Sequence, residues 1–305
     1  MARPLRIEYE GAFYHVTSRG NERRKIFQST RDYEKFLANL KDALKKYNVI
    51  LHAYVLMGNH YHLLVETPQA NLSAFMHAVN SAYTTYFNIK RKRSGHLFQG
   101  RYKAILIDAD SYLLELSLYI HLNPVRAGMV ARPEDYPYSS YQAYTTAQAD
   151  PMITREKIWG MIAVDVRRAP QRYAAFVQSG ISEEKASPLK DLYGGMILGS
   201  KGFIKETLDR IKTEDLQRRE ISNRKALSST ITVNDIIRAL SDHFGVPEEK
   251  IVASPPYKAY AVYLARRQTP GTNAEIGSRF GVSYSAVTKI GSRLKKRMEK
   301  NKKLD

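Results

Sequence analysis

Two histidines lie one residue apart in a short, mainly apolar segment. In MGNHYHLLVE (residues 57–66), His60 and His62 flank Tyr61. Alternate side chains of a β-strand point to the same side of a sheet, so a strand here would hold both imidazoles next to each other. Such a pair is either a polar feature of a core or part of a metal site, and taken alone it favours the core.

A tyrosine and an asparagine at helical spacing supply the second part of a candidate site. In LYIHLNPVRAG, Tyr119 and Asn123 are four residues apart and would share one face of a helix. If that face covers the sheet beside the histidines, two imidazoles and an amide oxygen converge next to a phenol. These donors leave open coordination positions and suit Mg²⁺ or Mn²⁺ better than a closed zinc site. Glu115 and Glu66 are further candidates, as extra ligands or as residues that hydrogen-bond the ligands.

The chemistry that these residue types permit is phosphoryl transfer. The metal ion would polarise a DNA phosphate, and the Tyr119 oxygen would attack phosphorus to give a covalent intermediate. A phosphotyrosine keeps the energy of the phosphodiester, so rejoining needs no ATP. The phenol, with an unperturbed pKa of about 10, must lose its proton, and the sequence identifies no dedicated base. An ordinary helix tyrosine is the alternative, since the chain has 21 tyrosines, and the spacing to Asn123 is what favours Tyr119.

The composition points to a nucleic-acid partner. The chain of 305 residues carries 48 Lys and Arg against 30 Asp and Glu, a net charge of +18, and such an excess attracts polyanions. The absence of cysteine excludes disulfides, thiolate zinc sites and cysteine nucleophiles. No apolar run approaches the roughly 18 residues of a membrane span, and the N-terminus lacks the apolar core of a secretory signal. We therefore expect a cytoplasmic, bacterial-type, nucleoid-associated protein with no membrane partner.

The candidate residues fall in a regular alternation of predicted strands and helices. From apolar periodicity, strands are predicted at 12–20, 49–57, 60–67 and 101–108, and helices at 29–47, 72–93 and 109–123. The order β-α-β-β-α-β-α indicates an α+β fold, a ferredoxin-like antiparallel sheet with helices on one face, which closes near residue 145.

Four motifs together resemble a known family: MGNHYHLLVE, GHLFQGRYKAILID, LYIHLNPVRAGMV and YPYSSYQAY. They are similar to the REP-associated tyrosine transposases, a branch of the single-tyrosine HUH endonucleases, over residues 1–145. The resemblance implies that His60 and His62 bind the metal ion, that Tyr119 is the nucleophile, and that Asn123 is a third, amide ligand. It also implies a 5′-phosphotyrosine, a free 3′-OH, and single-stranded or hairpin DNA, such as REP-like palindromes, as substrate. Gly58 departs from the family, many of whose members carry proline there, which should alter the stiffness of the turn and not the ligand chemistry.

Basic residues flank the candidate site and are interleaved with aromatic side chains. Charge follows a nucleic-acid backbone, and rings such as Phe98, Tyr102 and Tyr14 can stack on unpaired bases. The alternative is a solvated charged face over core aromatics, and Arg126 could equally serve a helix end. The predicted DNA contacts of this domain are Arg19, Arg23, Arg24, Lys25, Lys90, Arg91, Lys92, Arg93, Arg101, Lys103 and Arg126.

The C-terminal part has helix-turn-helix spacing. In NAEIGSRFGVSYSAVTKIGSRLKKRMEK, Gly281 permits a turn and Ser283 can cap a second helix. Residues 231–298 resemble the C-terminal DNA-binding domain of the replication initiator DnaA, which implies duplex DNA binding, although the turn sequence VSYSAV departs from DnaA and its base preference is not transferable. A plain helical hairpin is the alternative. The predicted groove-facing residues are Tyr284, Ser285, Thr288 and Lys289.

The remaining segments carry no predicted chemistry. Residues 146–222 are expected to be a helical connecting region of unknown role, with a polar linker over 222–230, and residues 299–305 a basic tail.

The sequence thus predicts a transposase-like DNA strand transferase, a metal-dependent tyrosine endonuclease that uses Mg²⁺ or Mn²⁺. Its partner would be DNA, single-stranded or hairpin at the N-terminal domain and duplex at the C-terminal domain. The main alternative is a DNA-binding regulator without catalysis, and a third is a protein that binds RNA hairpins. A monomer and a homodimer are both open.

Overall fold

The structure is a computed structural model and describes residues 3–4, 7–146, 150–182, 187–211, 221–222, 231–269 and 271–301. The described residues form two compact units, one of Ile7–Pro188 and one drawn from Met1–Arg6 and Leu189–Asp305. Apart from Ser222, the predicted linker lies outside the described residues.

The bounds of the regular elements follow the predicted alternation. The described strands are β1 (Arg3–Pro4), β2 (Ala12–Arg19), β3 (Ile50–Met57), β4 (His60–Thr67), β5 (Lys103–Ile107), β6 (Ile197–Leu198) and β7 (Ile221–Ser222). The described α-helices are α1 (Thr30–Tyr47), α2 (Leu72–Lys90), α3 (Ala109–His121), α4 (Asn123–Arg126), α5 (Tyr141–Thr145), α6 (Glu156–Ile162), α7 (Ala169–Ser182), α8 (Lys201–Arg210), α9 (Val233–Phe244), α10 (Glu248–Ala253), α11 (Pro255–Gln268), α12 (Asn273–Arg279) and α13 (Tyr284–Asn301).

The sheet of the first unit is antiparallel and has the predicted ferredoxin-like connectivity. Its strands lie side by side in the order β3, β4, β2, β5, and each neighbouring pair runs in opposite directions. In the register of β2 and β4, His62 lies opposite Thr17 and His60 opposite Arg19. The α+β fold class is therefore confirmed.

Helices cover both faces of this sheet. Tyr61 points to the face of α1 and α2, where its ring lies 4.8 Å from that of Phe36 and its hydroxyl donates to Asn80 Oδ1 at 2.6 Å. His62, the next residue, points to the opposite face, where its ring meets Tyr119 of α3. The expectation of helices on one face is therefore wrong. Its physical reason is visible in the middle of β4, where side chains of both parities are apolar and fully buried.

The helices after residue 145 pack on α3. The Tyr173 hydroxyl of α7 donates to Ser117 Oγ at 2.9 Å and lies 2.7 Å from His121 Nδ1, both on α3. Gly180 of α7 is so close that a Cβ there would lie 2.8 Å from a methyl of Leu118. The predicted boundary at residue 145 thus falls inside the first unit, and residues 150–182 cover the outer side of α3 instead of forming a connection.

The second unit has its own helical core. Its buried apolar residues are Ile236, Ile237, Leu240, Ile251, Ala261, Val262, Ala265, Ile276, Phe280 and Val287. Helices α12 and α13 are separated by a turn in which Gly281 has a φ of +61°, a conformation that glycine adopts without strain. The DnaA-like character of this unit stays a prediction, and residues 302–305 of the predicted tail lie outside the described residues. None of the helices among the described residues combines the length and apolar content that crossing a membrane requires.

Candidate functional site

The two predicted histidines lie at the start of β4, directly after the Gly58–Asn59 turn. Their ring centroids are 5.1 Å apart, His60 is half-buried, and His62 is 7% exposed. The Nδ1 atom of His60 lies 2.6 Å from Asn59 Oδ1. Because an amide oxygen can only accept, this contact places the ring proton on Nδ1 and leaves Nε2 of His60 as the atom that can bind a metal ion.

A third histidine, which the sequence analysis missed, joins this pair. His15 of β2 has the same strand parity as Thr17 and therefore points to the same face as His62. The two rings are stacked at 5.1 Å with a 6° interplanar angle, and His15 Nε2 lies 2.8 Å from His62 Nδ1. This contact engages Nδ1 of His62 and leaves its Nε2 for a ligand. That His15 and His62 share a face of the sheet follows only when the pairing of β2 with β4 is known. The sequence alone therefore gave little indication that His15 belongs to the cluster.

Burial keeps all three imidazoles uncharged at neutral pH. It lowers the pKa of His15 to about 3, with a smaller contribution from Lys103, and the pKa of His60 to about 4, with a smaller contribution from Arg19. The pKa of His62 lies well below its usual value, first through burial and then through its two histidine neighbours. A neutral imidazole has a lone pair to offer, so these environments suit metal ligation.

Helix α3 brings Tyr119 to the histidines. Its ring meets His62 edge-on at 5.9 Å and His15 edge-on at 6.0 Å between centroids. The guanidinium carbon of Arg126, in the helical turn that follows, lies 5.5 Å from the centre of the same ring. The predicted phenol thus lies on the same face of the sheet as the predicted imidazoles and packs against His62.

Asn123 is held one helical turn beyond Tyr119. Its Nδ2 donates to the Tyr119 carbonyl oxygen at 2.8 Å, which leaves Oδ1 as the possible ligand atom. The described residues contain no group of three or more His, Asp or Glu side chains that could hold a metal ion. A metal ion here would therefore depend on the mixed set of two neutral imidazole nitrogens and one amide oxygen, and this donor set fits a divalent ion with open positions.

The two candidate carboxylates differ in their distance from the cluster. Glu66 accepts from His52 Nε2 at 3.0 Å and lies four strand positions beyond His62, roughly 13 Å along β4, which is too far to support the histidines. Glu115 precedes Tyr119 by one turn of α3, and its side chain is exposed. Its role as a ligand or as a partner of the ligands stays a prediction.

A basic loop lies beside the histidines. Arg19, Arg23, Arg24 and Lys25 are exposed, and the loop is fixed to the hairpin turn because Asn59 Nδ2 donates to the Arg23 carbonyl at 3.1 Å. Arg23 has a φ of +62°, an unusual conformation for a side chain with a Cβ, which marks a loop held in one shape. This geometry keeps the predicted DNA-contacting charges next to the cluster.

Lys90 and Arg91 have a structural role that the sequence did not indicate. Both pair with the buried carboxylate of Asp32, Lys90 Nζ at 2.8 Å and Arg91 Nη2 at 2.5 Å, and thereby tie the end of α2 to the start of α1. Burial opposes the charge of Asp32, but the hydrogen bonds from Lys90 and Arg91 outweigh it and lower the pKa of this carboxyl. These two cations are therefore structural, while Lys92 and Arg93 are exposed.

The remaining predicted DNA contacts divide by exposure. Arg101 and Lys103 are exposed. Tyr14, Phe98 and Tyr102 are buried, so they are core aromatics and cannot stack on bases as they stand. The basic residues and the aromatic rings that are close in sequence therefore do not form a common surface for DNA.

On the second unit, Ser285, Thr288 and Lys289 are exposed on α13, while the side chain of Tyr284 lies outside the described residues. Ser283 Oγ accepts from the Ala286 backbone N–H at 3.3 Å, which is the predicted cap of this helix.

Comparisons with known proteins find similarities in the first unit. Residues 8–123 match the family model described as Transposase IS200 like. A curated protein of Haemophilus influenzae, described provisionally as a REP-associated tyrosine transposase, is 27% identical over 157 residues, which cover 47% of this chain and 86% of that protein.

Two solved structures are also similar. A REP-associated tyrosine transposase bound to a REP hairpin is 19% identical with a TM-score of 0.44, covering 54% of this chain and 93% of that one. A structure from Deinococcus radiodurans R1, provisionally described as a transposase, is 17% identical with a TM-score of 0.28, covering 38% of this chain and 95% of that one.

Residues 8–123 are thus similar to the IS200-like transposases. The resemblance to REP-associated tyrosine transposases predicted from the motifs is confirmed for this part of the chain.

Proposed function

We propose that this protein is a DNA strand transferase that cleaves and rejoins single-stranded or hairpin DNA, with Tyr119 as nucleophile. The observation that carries the proposal is the edge-on packing of the Tyr119 ring against His62 and His15, at 5.9 and 6.0 Å. The packing of this ring against neutral, buried imidazoles supports a role for Tyr119 as a nucleophile beside a metal site.

The proposed reaction replaces one phosphodiester bond with another of similar energy. The Tyr119 oxygen forms a bond to phosphorus as the bond from phosphorus to the 3′ oxygen breaks, which gives a 5′-phosphotyrosine and a 3′-hydroxyl. The phenol releases its proton to solvent, and the departing 3′ oxygen takes one up. In the reverse step a 3′-hydroxyl attacks the phosphotyrosine and frees Tyr119.

The chain's own residues divide the work around this step. Nε2 of His60, Nε2 of His62 and Oδ1 of Asn123 would hold Mg²⁺ or Mn²⁺, and when bound the ion would polarise the phosphate and offset its charge. Arg126, 5.5 Å from the Tyr119 ring, stabilises the negative charge that develops on the phenolic oxygen. His15 orients His62 through the contact of 2.8 Å and acts as a positioning residue.

The substrate class follows from the surroundings of the cluster. The relative in the solved complex is bound to a REP hairpin, and the exposed Arg19, Arg23, Arg24 and Lys25 offer charge for a phosphate backbone on this chain. The second unit, with Lys289 exposed on α13, would bind duplex DNA.

The test is a covalent-adduct assay. The full-length protein is incubated with a labelled hairpin oligonucleotide and Mn²⁺, and a denaturing gel reveals a protein–DNA adduct. Tyr119→Phe and His60→Ala should abolish the adduct. Tyr112→Phe on the same helix, and His77→Ala at an exposed position of α2, are the matched controls and should retain it.

Two outcomes would overturn the assignment. An adduct that survives Tyr119→Phe refutes the nucleophile, and tight duplex binding with no adduct under any divalent metal supports the DNA-binding regulator without catalysis.

A further inference from the structure

An open cavity of about 540 Å³ lies beside the basic loop of the first unit, within the size range of small-ligand sites. Its walls include the aromatic rings of Phe27, Tyr33 and Tyr138, and its rim carries the polar residues 25 and 28–30. None of the residues that line it belongs to the histidine cluster. The cavity therefore needs an explanation of its own.

The aromatic wall is a stack of parallel rings. Tyr33 and Tyr138 face each other at 3.6 Å with a 6° interplanar angle, and Phe27 continues the column at 4.6 Å from Tyr33. Phe27 is buried, but both tyrosines are only half-buried and line the cavity. Tyr33 has Phe27 on one face and Tyr138 on the other, so Tyr138, at the end of the column, is the ring that can offer a face to an unpaired nucleobase.

The polar rim is held in place by the cations that pair with Asp32. Arg91 Nε donates to Gln28 Oε1 at 3.0 Å, and Lys90 Nζ donates to Ser29 Oγ at 2.9 Å. The amide of Gln28 is therefore oriented before a ligand arrives, while Lys25 is exposed at the mouth of the cavity. An oriented amide can bond a base edge, and a lysine can meet a phosphate.

The cavity wall is fixed to the hairpin that carries His60. The backbone N–H groups of Ile26 and Phe27 both donate to the Gly58 carbonyl, at 2.9 and 3.1 Å, and Gly58 precedes His60 by two residues. On the other side, Leu56 N donates to the Tyr138 carbonyl at 2.9 Å. The rings of the cavity lie on the face of α1 and α2, and the cluster lies on the face of α3. A single strand that bends around the Gly58–Asn59 turn would contact both.

We propose that the cavity accepts one unpaired base of the DNA, stacked on Tyr138 at the end of the aromatic column, with Gln28 at the base edge and Lys25 at the phosphate. The proposal rests on the proposed function, because it takes the DNA bound at the cluster as its source of the base. It adds a site that anchors one nucleotide of the single-stranded flank, around the Gly58–Asn59 turn from the phosphate that is cleaved.

The test is a coupling experiment between protein and DNA. Full-length protein is titrated with a labelled hairpin that carries a single-stranded flank, and with a matched set in which each flank nucleotide in turn is abasic. With the wild type, one abasic position should weaken binding by about 5- to 150-fold, the range of base–aromatic stacking, and the others should have little effect. Tyr138→Leu should weaken binding of the intact hairpin by a similar factor and remove the penalty at that position. Tyr138→Phe keeps the ring and should behave as the wild type.

A wild-type measurement covers the case in which Tyr138→Leu does not fold. A photoreactive 5-iodouracil at the sensitive flank position should crosslink to Tyr33 or Tyr138, as mapped by mass spectrometry. The proposal is overturned if no abasic position matters, if the penalty is unchanged in Tyr138→Leu, or if the crosslink maps elsewhere.

The adduct assay, run on the same samples, separates this proposal from the proposed function. If the adduct forms normally but Tyr138→Leu does not change the abasic penalty, only the base site is refuted. If the coupling is seen but no adduct forms, only the catalytic function is refuted. If no hairpin binds, both proposals are refuted.

Discussion

Asp32 is the residue whose replacement gives the sharpest test of how the first unit is held together. Its side chain is fully buried, with Oδ1 accepting from Lys90 at 2.8 Å and Oδ2 accepting from Arg91 at 2.5 Å and from the Gln28 backbone N–H at 2.9 Å. In Asp32→Asn one of these oxygens becomes an NH₂ group that faces other donors. The change leaves the shape of the side chain and removes half of its accepting capacity.

The expected cost is about 3 kcal/mol in the free energy of unfolding. Breaking a buried ion pair costs about 3–5 kcal/mol, and the low end applies because Lys90 and Arg91 are 32% and 19% exposed and can regain water. For a unit of this size the midpoint of thermal unfolding should fall by roughly 6–12 °C. Circular dichroism of the full-length protein measures the shift. The control is Asp42→Asn, at an exposed position of the same helix, which should change little.

The pH dependence has a definite sign. The pKa of Asp32 is lowered in the folded state, so its contribution is present above the unfolded value of 3.8 and is lost as the pH falls below it. Wild-type stability should therefore fall more steeply below about pH 4 than that of Asp32→Asn. Equal stability of Asp32→Asn and Asp42→Asn, or identical slopes in acid, would refute the view that this carboxylate ties α1 to α2.

Further predictions address the site and the packing around it. His15→Ala should reduce metal-dependent adduct formation by about 10- to 100-fold in a Mn²⁺ titration, with hairpin affinity retained, since it removes the support of His62. Arg23→Gln should weaken hairpin binding and reduce the slope of log affinity against log salt by about 0.7, whereas Lys90→Gln should lower thermal stability with that slope unchanged. Gly180→Ala should destabilise by about 1–3 kcal/mol in urea unfolding because its Cβ would press on Leu118, while Gly160→Ala, with open space around it, should not.

The relations that sequence analysis could predict are those between residues with a short, regular spacing. His60 and His62 share a strand face because they are two apart, and Tyr119 and Asn123 share a helix face because they are four apart. Both relations are local, so they can be predicted without knowledge of the fold. That the two faces meet is a tertiary fact, which the sequence supplied only through the resemblance to a family.

The errors concern relations between distant parts of the chain. His15 joins the cluster through the pairing of β2 with β4, and it lies 47 residues from His62 in sequence. The register of two paired strands cannot be predicted from the sequence of either strand alone. Lys90 and Arg91 looked like DNA contacts because their partner, Asp32, lies 58 and 59 residues earlier. A cluster of like charges in the sequence indicates a charged surface only when those charges are not paired with a buried opposite charge.

The Gly58–Asn59 turn is hydrogen-bonded to the proposed cluster, to the basic loop and to the wall of the base cavity. Asn59 accepts from His60 Nδ1 through its Oδ1 and donates to the Arg23 carbonyl through its Nδ2, so one side chain fixes both the His60 ring and the loop that presents positive charge. Gly58 anchors the cavity wall through its carbonyl, and a Cβ at this position would meet nothing within 4 Å. Space at Cβ is therefore not what requires glycine at this position, and its effect here is on backbone freedom. Greater freedom at this one residue would affect ligand ring, loop and cavity together, because all three are hydrogen-bonded to the same two-residue turn.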